Sequence, residues 1–134
     1  MKPAKKEWSA AERWTFLSIF GIDRRSNHDQ QELLSKLRTL LENSQYRIRS
    51  HAVRHMIEEG FSEEDLLESL LGRCRILEDY PSETRCLLAG YFRLSQKVHC
   101  PLHAVCDYSK DEVVDIVTAY IPQKPWWNTP TKRG

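Results

Sequence analysis

No apolar run in this chain approaches the length needed to cross a membrane. Its first residues, MKPAKKEWSAAERW, hold no apolar core of the kind a secretory signal carries. The expected location is therefore the cytoplasm. A dominant charge is also missing: 20 Lys and Arg stand against 19 Asp and Glu, a net of +1. Whole-chain charge thus does not single out nucleic acid as a partner. There is no C-x-x-C pair, so no zinc knuckle organises the fold. Internal repeats and low-complexity tracts are absent. The four cysteines (Cys74, Cys86, Cys100 and Cys106) are even in number, but nothing points to export, and free thiols are expected.

What is present suits one domain. The chain has 134 residues, 40% hydrophobic and 29% charged, enough for a single core. Charge is uneven along it. From Arg85 to Cys106 the basic residues are Arg85, Arg93 and Lys97, with no acid among them, which allows a local basic face.

Residues 46–80 organise the rest. Tyr46, Ile48 and Ser50 alternate with Arg47 and Arg49 as in a half-buried strand. Ser50 stands at an N-cap position for a helix that Gly60 stops. Ser62 and Asp65 have capping-box spacing for a second helix, ended by Gly72, and Arg73–Tyr80 return to an extended pattern. On the first of these helices the period places Ala52, Val53, Met56 and Ile57 on the core face. His51, Arg54, His55 and Glu58 fall on the opposite face. For most helices such a stripe is simply solvated.

Upstream, Ser9 and Glu12 cap an aromatic helix carrying Trp14, Phe16 and Phe20, and Leu33, Leu34, Leu37, Leu40 and Leu41 mark a second amphipathic helix. Downstream, Arg85–Phe92 is a nearly continuous apolar strand, and residues 101–108 and 112–120 form a hairpin candidate. The tail around Trp126 and Trp127 is too proline-rich for a helix or a sheet interior. The expected fold is α+β: N-terminal helices, then helices packed on an antiparallel sheet of about four strands. Residues 1–44 form a helical extension, 45–127 the main unit and 128–134 a tail, all within one globular domain.

Three chemistries suit the polar residue types present. A metal site at Cys100, His103 and Cys106 fails on strand alternation, which turns His103 away from both thiols. A cysteine nucleophile is disfavoured because all four thiols lie in apolar strands, where they are inert. Metal-free acid–base cleavage of RNA needs a base for the ribose 2′-OH, an acid for the leaving oxygen and a cation for the phosphorane. His51, His55 and His103 suit the first two roles, with Asp107 on the same strand face to orient His103. Arg47, Arg49, Arg54 and Arg85 are the candidate phosphate binders. No metal and no cofactor are expected. Each histidine also has a plainer reading as a structural, hydrogen-bonded residue.

Five segments stand in order: S-H-A-x-x-x-M-x-x-x-G-F-S (50–62), I-L-E-D-Y-P (76–81), C-L-L-A-G-Y (86–91), P-L-H-A-V (101–105) and T-A-Y-x-P…W (118–126). Together they resemble a widespread bacterial and cyanobacterial family of small domains of unknown function, over about residues 46–127. Its members are similar to type II toxins of the RelE and MqsR kind, often encoded beside a zinc-finger antitoxin of the MqsA (YgiT) type. The resemblance implies a RelE-like unit with helices on an antiparallel sheet, and metal-independent cleavage of mRNA. It also implies a cognate zinc-finger-type antitoxin as partner. Family-typical polar positions match at His51 and His103, with Tyr120 after the last strand. Where the family carries an arginine before the methionine, this chain has His55, and Arg54 is displaced by one residue, a turn of about 100°. A non-catalytic protein-binding module on the same scaffold is the alternative, suited to the aromatic first helix and the tryptophan tail.

Overall fold

The computed structural model describes residues 27–122 and, as backbone, 127–129 and 132–133. The elements run α1 (Asn27–Glu42), β1 (Tyr46–Ile48), α2 (Ser50–Glu59), α3 (Glu63–Leu71), β2 (Arg75–Tyr80), a 3-10 turn (Pro81–Glu83), β3 (Arg85–Arg93), β4 (His99–Asp107) and β5 (Val114–Tyr120). The fold is α+β. Five strands form one sheet in the order β1-β5-β4-β3-β2. The four strands β2–β5 are joined antiparallel, and β1 adds a fifth, parallel to β5. That parallel edge was not expected. A three-residue strand carries almost no period, and its partner lies far along the chain. The expected aromatic helix at residues 9–20 falls outside the described residues. The tail, read as lying outside the sheet, carries a separate two-stranded ribbon, β6 (Trp127–Thr129) with β7 (Lys132–Arg133).

Helix ends follow local chemistry, with one exception. Ser62 and Asp65 exchange both capping-box hydrogen bonds, at 3.1 and 3.0 Å. Gly60 closes α2 at φ 81, and its N–H donates to the Met56 carbonyl; a side chain there would be strained. The cap of α2 is Arg49, not Ser50, and no side chain serves it.

The main core lies between the helices and one sheet face. Leu33, Leu37, Leu40 and Leu41 of α1 meet Leu66 and Leu70 of α3, together with Cys86, Leu88, Leu102, Ala104, Cys106 and Ile116 of the sheet. Gly90 permits the closest approach: a β-carbon there would sit 2.1 Å from the Ser69 carbonyl oxygen of α3. A smaller cluster of Leu87, Val105 and Tyr120, flanked by Leu77 and Val117, occupies the other sheet face. Strand alternation therefore sorts β4 as anticipated, with Leu102, Ala104 and Cys106 on the helix side and His103 and Val105 on the far side.

The cysteines are free; Cys74, Cys86 and Cys106 are buried, and Cys100 is half-buried. Burial pushes the Cys74 thiol up to about 12, and Cys106 is raised further, chiefly by the same cause. A thiolate-directed reagent at pH 8 should therefore label Cys100 first. The three buried thiols should react only on unfolding. Rapid native labelling of all four would contradict this packing.

Candidate functional site: the polar face of the first sheet-packed helix

Helix α2 packs against β5 but is rotated from the face its apolar period selects: Ala52 and Met56 stay inward, Val53 and Ile57 do not. Ala52 is buried, and His55, Met56 and Glu59 are half-buried behind it. Val53 and Ile57, expected in the core, are 40% and 76% exposed. The cause is polar. Glu59 Oε1 accepts the N–H of Ile121, just beyond β5, at 2.7 Å. Its other oxygen, Oε2, meets His55 Nδ1 at 3.0 Å. Satisfying a partly buried backbone donor and a histidine together outweighs burying two aliphatic side chains.

These contacts build an ordered group. An ionised carboxylate only accepts hydrogen bonds, so the His55 Nδ1 N–H donates to Glu59, and in the neutral ring Nε2 keeps its lone pair. Glu59 is fixed at both oxygens, which holds the ring in place. The exposed His51 ring stands one helical turn away, edge-on to His55, with centroids 4.8 Å apart. Arg54, beside His55 in sequence, is exposed and makes no ion pair among the described residues. One helix thus presents two histidines, an orienting carboxylate and a cation. Sequence reasoning missed Glu59. Its signal was the four-residue spacing from His55.

The other candidates lie elsewhere. His103 is fully buried on the far sheet face, where its Nδ1 meets the Tyr120 hydroxyl at 3.2 Å. The rings are 5.3 Å apart, edge to face. His51 and His103, both candidates for the acid–base roles, therefore do not share a cleft, because His103 turns away from the helices. Asp107 does not orient His103 either. Four residues along a strand span about 13 Å, and Asp107 is engaged with Arg85 at 3.3 Å and the Ser109 N–H at 2.8 Å. Burial pushes the Asp107 carboxyl up, but these two partners outweigh it and hold it below the ordinary carboxylate range.

The expected phosphate binders divide in the same way. Arg85, Asp107, Asp115 and Arg47 lie in one cross-strand row over four strands. Arg47 grips Asp115 through two bonds, at 2.8 and 3.1 Å, and Arg49 reaches the same carboxylate at 3.5 Å. Asp115 accordingly holds the Arg47 guanidinium above its ordinary range. Arg47 and Arg85 are cross-strand partners of carboxylates. Of the four, Arg54 alone sits on the same helix as His51 and His55.

Residues 48–121 match a family described as a domain of unknown function (DUF4258). The chain belongs to this family. The DUF4258 match begins at the last residue of β1 and takes in α2, α3 and β2–β5, so His51, Arg54, His55 and Glu59 all lie inside it. Helix α1 and Arg47 lie outside. No curated protein and no solved structure matches the chain.

The placement of His103 carries a prediction. Truncating a fully buried ring leaves a cavity, and His103→Ala should cost on the order of 2–4 kcal/mol. Thermal unfolding should show a midpoint lower by roughly 10 °C. A variant of unchanged stability that had lost all activity would instead give His103 a chemical role.

Proposed function

We propose that this domain is a metal-independent endoribonuclease, similar to the RelE-like toxins, acting on mRNA and neutralised by a zinc-finger-type antitoxin. The observation that carries this reading is the Glu59–His55–His51 arrangement with Arg54 on one helix face. His55, held through Nδ1 by Glu59, offers Nε2 to take the 2′-OH proton. His51 supplies the second titrating ring for the leaving oxygen, and Arg54 a cation for the charge that develops on phosphorus. Histidine is suited to both proton transfers because its free pKa lies near neutral. This assignment moves the chemistry from His103 to His55.

Inducible expression in a bacterial host tests the reading. The wild-type chain is expected to arrest growth, and His55→Ala to be tolerated at the same protein level. Equal tolerance of both proteins would remove the toxin reading.

A second reading has its own support. Val53 and Ile57, one turn apart and exposed on α2, form an apolar stripe of the kind that docks a partner protein. In a binding module this stripe would be the contact, and wild-type expression would be harmless. In the toxin reading the same stripe suits the antitoxin.

A further inference from the structure

We infer that the β3–β4 hairpin holds single-stranded RNA on the sheet face turned away from the helices. This deepens the ribonuclease reading and rests on it for the choice of RNA. The hairpin extends well beyond the end of β5: Tyr120 pairs with His103, while the ladder between β3 and β4 continues to Arg93 opposite His99. The backbone closes further out, where Leu94 N–H donates to the Val98 carbonyl at 2.8 Å.

Alternation sorts the side chains of this projection. Phe92 and Cys100 turn to the helix side, where Phe92 packs on Phe61 with ring centroids 6.3 Å apart. Tyr91, Arg93, His99 and Pro101 turn to the other side. Tyr91 is 44% exposed, and Arg93, Lys97 and His99 are all exposed. Among the described residues no carboxylate pairs with any of these three. From residue 85 to residue 106 the sequence has no acid at all. The nearest carboxylate contact is on the helix side, where Glu68 accepts the Arg93 backbone N–H at 2.9 Å and pins the hairpin root.

Unpaired cations flanking an exposed aromatic ring fit one chemistry above others. A single strand presents phosphates to the cations and an unstacked base to the ring, with little sequence preference. The hairpin is also close to the proposed site. Glu59 accepts the N–H of Ile121 at 2.7 Å, next to Tyr120, which pairs with His103 on β4 at the base of the projecting hairpin. To reach His55 and Glu59, a strand lying on Tyr91 and Arg93 would pass around the edge of β4 that β5 leaves uncovered beyond Tyr120.

The test is fluorescence anisotropy of the full chain with a short labelled 2′-O-methyl oligouridylate, which the 2′-OH route cannot cleave. Tyr91→Ala is expected to weaken binding by about 5- to 150-fold. The double variant Arg93→Ala/Lys97→Ala is expected to flatten the dependence of log affinity on log salt by about 1.4, near 0.7 for each lost cation. Lys36→Ala, on α1, is expected to match wild type. No binding by wild type, or hairpin variants with unchanged affinity and slope, would overturn the inference. Hairpin variants that bind normally, in a protein that cleaves RNA through His55, reject the hairpin and keep the ribonuclease. Binding that follows the hairpin in a protein that cleaves no RNA does the reverse.

Discussion

His55→Ala is expected to slow RNA cleavage by about a hundred- to ten-thousand-fold, the usual loss when a general acid or base is removed. The ring is half-buried and makes one hydrogen bond, to Glu59. Its removal should cost only about 1 kcal/mol of stability, so the rate loss occurs in a folded protein. Glu59→Gln separates orientation from fold. Its side-chain oxygen still accepts the Ile121 N–H, but the negative charge behind the ring is gone. Cleavage should fall less than in His55→Ala, with a melting midpoint near wild type. His55→Ala cleaving at the wild-type rate would return Glu59 and His55 to a structural role at the end of β5.

A large effect on stability, comparable to that of His103→Ala, is expected at Gly90. A β-carbon there would stand 2.1 Å from the Ser69 carbonyl oxygen and 2.9 Å from its carbon. Both are backbone atoms and cannot rotate away. Gly90→Ala must push α3 off β3, which carries Leu66 and Leu70 away from Leu88 and Phe92. The cost is on the order of 3 kcal/mol, the upper end for overpacking, or roughly 10 °C in the melting midpoint. Unchanged thermal unfolding of Gly90→Ala would show that α3 is free to shift. The closeness of α3 to β3 would then matter less than the geometry implies.

The parts of this fold legible in the sequence are those fixed within a few residues. Ser62 and Asp65 form the capping box their spacing announces, and Gly60 takes the left-handed φ that ends α2. Alternation along β4 turned His103 from Cys100 and Cys106, and the 101–120 hairpin pairs as its two apolar runs indicate. What was not legible depends on distant partners. The rotation of α2 is set by Glu59 and Ile121, 62 residues apart, whereas the apolar period of the helix alone favours Val53 and Ile57. Arg47 and Arg85 looked like free cations because their carboxylates, Asp115 and Asp107, are supplied by other strands. His103 was paired with Asp107 through shared face alone, but strand rise keeps them apart, and the contact falls to Tyr120 across the ladder.

The ends of the RNA fragments test the central claim most directly. Purified wild-type chain would be incubated with a single-stranded RNA in excess chelator, and the new termini identified by mass spectrometry. Transfer of the 2′-OH proton to His55 predicts a 2′,3′-cyclic phosphate on one fragment and a 5′-hydroxyl on the other. It also predicts no cut where the 2′-OH is methylated. Fragments ending in a 3′-hydroxyl and a 5′-phosphate, or RNA left whole by wild type and His55→Ala alike, would contradict it.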